Sequence, residues 1–375
     1  MEKQTPEGLG HHMDTEMSEA LPDAMEKHFD KIVRRLGLYR GPVIEDFRGM
    51  VRTVMTTQAA AYYDAETKRI YILDGGSNDL EEGIVYSHEL YHALQDQYFD
   101  LGAYVSPKLK LNSDQSMART AVVEGEATYI HTLWGMRQML GGTPPRAMIA
   151  PAIKMQSDLS IADLMNMVGG TAADAAKAEN IPPFMLETLI GNYLKGAAFV
   201  YAVQEKGWSE VEKLYKEYPP QSTEQILHPE KWLAHENPAI FQWSDLDKEK
   251  ALKDWEQIDD DVIGEIQWRI IFKVQGQEAD AAAASAGWNG DRYAVFKRRN
   301  SDDTLLLLRT AWDSQADAVQ FADAYRHALA VKYAGTTEPT RVEQQGTDVF
   351  IVEGGAKSEL DALMQIVRKA KRRPN

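Results

Sequence analysis

Residues 88–101 read HELYHALQDQYFDL, and their two histidines, His88 and His92, stand four positions apart. On an α-helix that spacing puts both imidazoles on one face, with Glu89 beside them. Two imidazoles so placed can hold one ion. Zinc prefers tetrahedral nitrogen and oxygen ligands, and in hydrolytic sites it keeps three protein ligands and a water. A neighbouring carboxylate can take the proton of that water and later hand it on. His88 and His92 are therefore candidate metal ligands, Glu89 the candidate general base and Zn2+ the expected cofactor. The chain has no cysteine, so any metal must rest on His, Asp and Glu.

The surrounding sequence supplies the context that a short motif needs. Upstream, AAAYYDAETKRIYIL (residues 59–73) has an apolar-aromatic run, a polar turn at Asp64 to Lys68 and an alternating run through Ile70 and Ile72, the pattern of a β-hairpin. Asp79-Leu80-Glu81-Glu82 then gives an acidic first turn, which favours a helix N-terminus, and the helix is expected over about Leu80 to Phe99. Downstream, ARTAVVEGEATYIHTLWGMRQML predicts a second helix over about Ser116 to Leu140 with a carboxylate-rich centre. Residues 141–183 are rich in Met, Ala, Gly and Pro and read as short helices and loops, a candidate lid. Another helix is expected over Phe184 to Glu205.

A strand pair, a helix carrying HExxH and a third glutamate on a later helix resemble the thermolysin-like gluzincin metallopeptidases. The longer string HELYHALQDQYFDL is similar to a bacterial and archaeal HExxHALQDQ branch of that group. The resemblance covers roughly residues 59–235 and implies a zincin-like catalytic domain acting on a peptide or protein substrate. It also implies a glutamate as third ligand. Matching the N-E-G-x-A setting of the family places this ligand at Glu124, followed by Gly125 and Ala127, although Val123 stands where the family has Asn. Glu126 is the alternative; two positions apart on a helix is about 200° of rotation, so both cannot face one ion. In the resembling enzymes a later His or Tyr stabilises the oxyanion, which makes His228 and Tyr193 the candidates by order in the chain. The other readings are that Ser222 to Glu224 caps a short helix ended by His228-Pro229, and that Tyr193 is core. Asp96, one turn beyond His92, is the candidate to orient an imidazole; Gln95 and Gln97 carry no assigned role. An extended substrate is expected to add to the edge at Ala59 to Tyr63 or Arg69 to Leu73.

The length of 375 residues exceeds what one core usually organises. The expected division is a flexible tail over 1–20, a catalytic domain over 21–237 and an accessory domain over 238–375. The accessory part reads ββαββα: strands at 291–299 and 304–312, a helix at 314–333, two strands around Gly346 and a helix at 357–371. That order predicts an α+β fold with helices on one face of an antiparallel sheet. Trp288 and Trp312 in this region read as core rather than as a ligand-binding surface.

The chain carries 57 acidic against 41 basic residues, a net charge of −16, which argues against nucleic acid as a partner. The basic run from Arg368 to Arg373 reads as a solvated helix end. No run approaches the roughly 18 apolar residues of a membrane helix, so no membrane span is expected. The polar opening MEKQTPEGLGHHMDTEMSEALP is unlike a signal peptide. A cytoplasmic protein and an exported one bearing no leader in this chain both fit, and the resemblance leans towards an exported, periplasmic or extracellular, protein. Oligomeric state is not legible. Two alternatives to peptide hydrolysis stand: a non-enzymatic binding or scaffold protein that keeps a metallopeptidase fold, and zinc hydrolysis of a non-peptide substrate.

Overall fold

The computed structural model describes residues 2–4, 23–58, 61–73, 79–160, 163 and 181–373. Its first half is helical around a small sheet. Strand β1 (Glu2–Gln4) is followed by α1 (Asp23–Leu36), α2 (Phe47–Gln58), and the hairpin of β2 (Ala61–Asp64) and β3 (Arg69–Leu73). Then come α3 (Asp79–Phe99), α4 (Ser113–Leu140), α5 (Arg146–Ser157), α6 (Pro183–Gln204), α7 (Trp208–Lys216), α8 (Thr223–Leu227) and α9 (Pro229–Leu233). The second half holds β4 (Trp255–Asp261), α10 (Gly264–Val274), β5 (Trp288–Arg298), β6 (Thr304–Trp312), α11 (Gln315–Lys332), β7 (Thr340–Gln345), β8 (Asp348–Glu353) and α12 (Leu360–Lys369). The coarse α+β reading holds.

Two long helices fix the first half. Helix α4 starts at a capping box, where Asn112 accepts from Gln115 N and the Gln115 side chain accepts from Asn112 N, and it ends at Gly141 with φ 68°. Helix α6 starts with Pro183, whose missing N–H costs nothing in the first turn. The two pack at a glycine crossing. A Cβ built on Gly125 would lie 2.1 Å from the Gly196 carbonyl carbon, and one on Gly196 would lie 2.1 Å from Ala121 O. Only glycine at both positions lets the backbones approach this closely.

The sheet of the second half is antiparallel, with strand order β4-β5-β6-β8-β7. Its central strand carries Leu305, Leu306, Leu307 and Leu308, each no more than 1% exposed. Alternation sends these leucines to both faces, so both faces must be covered. Leu306 and Leu308 join Phe321, Ala322 and Tyr325 of α11 in one core, while Leu305 and Leu307 join Leu363, Met364 and Val367 of α12 in another. The expectation of helices on one face is thus corrected: the sheet is sandwiched. Strand β4, WEQIDDD, was not anticipated because only Trp255 and Ile258 favour a strand and three aspartates, which are depleted in strands, follow them. Trp288 and Trp312 are 1% and 2% exposed and belong to the core, as read.

Helix α1 departs from the expected boundaries. Its Phe29, Ile32, Val33 and Leu36 share a core with Trp268, Phe321 and Leu306, so by packing it belongs with the second half rather than with residues 21–237. Arg35 ties it there, donating to Thr304 Oγ1, Tyr333 Oη and Glu338 Oε1, each at 2.7 Å. Of the tail expected over 1–20, Glu2–Gln4 instead pairs in parallel with Tyr71–Leu73, and the remainder lies outside the described residues. Among the described residues no helix is long and apolar enough to cross a membrane.

Candidate metal centre

Helix α3 is amphipathic in an inverted sense. Its inward face carries His88, Glu89, His92, Gln95 and Asp96, all buried, while Leu90, Leu94 and Tyr98 are 51%, 44% and 67% exposed. Burying five polar groups on one helix is costly unless each is partnered. The partners come from α4, α7 and the hairpin.

His88 and His92 meet Glu124 of α4. The distances are 3.0 Å between the two Nε2 atoms, 3.2 Å from His88 Nε2 to Glu124 Oε2, and 3.4 Å from His92 Nε2 to the same oxygen. These are the only three His, Asp or Glu residues among the described ones whose ligand atoms converge in this way. Tetrahedral zinc with bonds near 2.0–2.1 Å would space its ligand atoms by about 3.3 Å. The donor set therefore fits such an ion in type and in spacing. Two nitrogens 3.0 Å apart also need something between them, a shared proton or a cation, because their lone pairs repel. Burial opposes charge on His92, but Glu124 outweighs it and pushes the imidazole pKa up. Burial likewise opposes ionisation of Glu124, and His92 and His88 overcome it and hold that carboxyl well below its usual range. The group draws positive charge to its centre.

Of the two glutamates, Glu124 is the one whose carboxylate lies against the histidine pair. Glu126 is 3% exposed and accepts from Tyr91 Oη at 2.8 Å, Gln95 Nε2 at 2.9 Å and Tyr215 Oη at 2.6 Å. Asp96 does not orient an imidazole, which corrects that expectation. It accepts from Tyr63 Oη, Lys68 Nζ and Leu101 N, and so ties the hairpin to the end of α3. Gln95 takes the part instead, its Oε1 2.8 Å from His92 Nδ1. At His88 the outer nitrogen, Nδ1, lies 3.1 Å from Nδ1 of His131. Burial, then the neighbouring His88 and His92, push His131 down to about 3, so it is neutral and can accept. Gln97 is exposed.

Glu89 is 8% exposed, and its Oε2 accepts from the backbone N–H of Tyr63 at 2.7 Å. Burial is the main cause that raises its pKa to about 7. Strand β3 is interior, paired with β1 on one side and β2 on the other. Of the two expected edges, Arg69 to Leu73 is therefore excluded, and β2 is the outer strand among those described.

Tyr193 and His228 part company. Tyr193 stacks on His88 with ring centroids 5.7 Å apart, and its hydroxyl is turned towards Glu124. The negative charge of Glu124, then burial, raise its pKa well above normal, so it remains a phenol able to donate. His228 is held by Glu265 of α10, with Nε2 3.0 Å from Oε2. That carboxylate follows Gly264, which packs on Asp114 at the start of α4. Asp114 precedes Glu124 by ten residues, about 15 Å along the helix. The assignment of His228 as an oxyanion donor is corrected accordingly: the Ser222 cap of α8 and the Pro229 start of α9 fix it in a different network. Of the lid expected over 141–183, residues 146–157 form α5, and 161–162 and 164–180 lie outside the described residues.

His131, Tyr63 and the Gln95–Glu126 pair were missed in the sequence. His131 had a signal: it stands seven residues after Glu124, two helical turns on the same face.

Residues 251–364 match a domain of unknown function, DUF8575. No curated protein and no solved structure matches the chain. The matched segment runs from just before β4 into α12 and leaves out His88, Glu89, His92 and Glu124.

Proposed function

We propose that this chain is a zinc-dependent metallopeptidase of the gluzincin type, with His88, His92 and Glu124 as ligands and Glu89 as general base. The observation that carries the reading is the convergence of two Nε2 atoms and one carboxylate oxygen at 3.0–3.4 Å, with a buried carboxylate next to them on the same helix. Zinc bound there would supply Lewis acidity, easing deprotonation of water and polarising the scissile carbonyl.

The protein's own groups do the rest. Tyr63 N–H holds Glu89 Oε2, which orients the carboxylate and leaves Oε1 to take a proton from the attacking water and return it to the leaving amine. A pKa near 7 suits that double task, since the group can accept and release a proton at neutral pH. The Tyr193 hydroxyl is a donor for the oxyanion that develops on the carbonyl. Strand β2, whose Tyr63 touches the base, is the edge against which an extended peptide would lie.

The test is Glu89→Gln. It should keep zinc at the wild-type stoichiometry and lose hydrolysis of a peptide library by about 10²–10⁴-fold. Wild-type turnover by that variant would remove Glu89 from its role. Binding without turnover by the wild type would favour a scaffold instead.

A further inference from the structure

Once ligands, base and donor are assigned, the second glutamate of VVEGEAT and the first glutamine of ALQDQ remain as buried groups beside the centre, and together they orient His92. The Val123 carbonyl can only accept, so the Gln95 atom that meets it at 3.1 Å is the amide nitrogen. The same nitrogen donates to Glu126 Oε2. Gln95 therefore has one orientation, with its amide oxygen towards His92 Nδ1 at 2.8 Å. An oxygen there demands a proton on Nδ1, and a neutral imidazole with its proton on Nδ1 has its lone pair on Nε2. Nε2 is the atom that faces His88 and Glu124.

Glu126 sits behind this chain of hydrogen bonds as a buried carboxylate that accepts from neutral groups: two tyrosine hydroxyls and the Gln95 amide. A carboxylate accepts, so both tyrosine hydroxyls donate to it, Tyr91 to Oε1 and Tyr215 to Oε2. Tyr215 Oη also lies 2.8 Å from Gln95 Nε2, which closes a ring of contacts around the amide. A buried hydrogen-bond network of this kind polarises along its length.

We propose that Glu126 and Gln95 form a positioning relay for the ligand His92, through which the hydrogen bonds from His92 to Gln95 and from Gln95 to Glu126 raise the affinity of the centre for a divalent cation. This rests on the metal reading above. Glu126 draws the Gln95 amide, the amide oxygen draws the Nδ1 proton of His92, and Nε2 becomes the more basic donor. The second glutamate of VVEGEAT thus acts on the same ion as the first, from one layer further out.

The experiment is a zinc titration of the full chain against a competing chelator, for wild type, Glu126→Gln, Gln95→Leu and Asp96→Asn. Glu126→Gln and Gln95→Leu should each weaken the zinc Kd by about 10–100-fold, whereas Asp96→Asn, beside Gln95 but bonded to the hairpin, should leave it unchanged. A second readout is spectroscopic: in the zinc-loaded protein the His92 Nδ1–H resonance should lie downfield in the wild type and move upfield in Glu126→Gln as its hydrogen bond to Gln95 weakens. If Gln95→Leu does not fold, Glu126→Gln and the spectrum decide. A Glu126→Gln variant that binds zinc as tightly as wild type, or whose His92 Nδ1–H resonance is unmoved, overturns the relay. A wild type that takes up no zinc overturns the metal reading itself, a separate failure.

Discussion

Replacing Gly125 by alanine separates two effects of opposite sign. In an exposed helix the change stabilises by about 1 kcal/mol, because alanine is the better helix former. At position 125 the new Cβ would lie 2.1 Å from the carbonyl carbon of Gly196 and 2.5 Å from its Cα and O. Ordinary contact begins at 3.4 Å, so α4 and α6 must part by about 1.3 Å, and the obstacle is backbone on both sides. Overpacking of this kind costs about 1–3 kcal/mol, and with backbone against backbone the upper end applies. Net destabilisation of about 2 kcal/mol is expected after the helix gain. Tyr193 lies one turn before Gly196, so the same parting withdraws its hydroxyl from Glu124. A displacement of about 1 Å at a reacting group costs of order 10²-fold in rate. The control is Gly191→Ala on α6, where an added Cβ meets nothing within 4 Å; it should stabilise by about 0.5–1 kcal/mol. Urea unfolding of both variants beside wild type gives the comparison. If Gly125→Ala is stabilised as Gly191→Ala is, the close crossing does not exist and the placement of Tyr193 falls with it.

Other outcomes follow from the same geometry. Tyr193→Phe should keep zinc and KM but lower kcat by about 10²-fold, the usual loss for one oxyanion donor; an unchanged kcat in steady-state assay would remove that role. His228→Ala should leave zinc content and kcat near wild type, since His228 serves Glu265, and a loss of about 100-fold would return it to the site. Glu353 is 0% exposed; burial opposes its charge, but Lys332 and Arg35 hold its carboxyl below the normal 4.5. The unfolded chain takes up this proton at higher pH than the folded one. Its stabilisation is therefore complete above pH 4.5 and lost as pH falls through the depressed folded value. Glu353→Gln should cost about 3–5 kcal/mol at neutral pH and flatten the acid limb of stability against pH, measured by urea unfolding at stepped pH; an unchanged limb would exclude Glu353 as its source.

Helix α3 and the hairpin before it were legible because their signals are local: an acidic first turn, an HExxH spacing, and alternation around a polar turn. The strand and helix order of the second half was legible for the same reason. What was not legible depends on partners. The apolar face of α1 announces that it must be buried, but Phe29 and Ile32 do not say against which sheet. Gln95 and Asp96 stand three and four residues after His92, both allowed spacings for contact, and only the position of α4, with Val123 and Glu126, turns Gln95 to the imidazole. Tyr193 and His228 were ranked by order in the chain, which carries no information about which face of a helix is presented. The Gly125–Gly196 crossing brings Tyr193, and not His228, beside His88.

Metal content by mass spectrometry of the purified wild type, beside His88→Ala and Glu124→Ala, tests the central claim most directly. About one zinc per chain in the wild type, lost from both variants, is the predicted result; no zinc in a wild type produced with zinc supplied, or zinc retained by both variants, would contradict it.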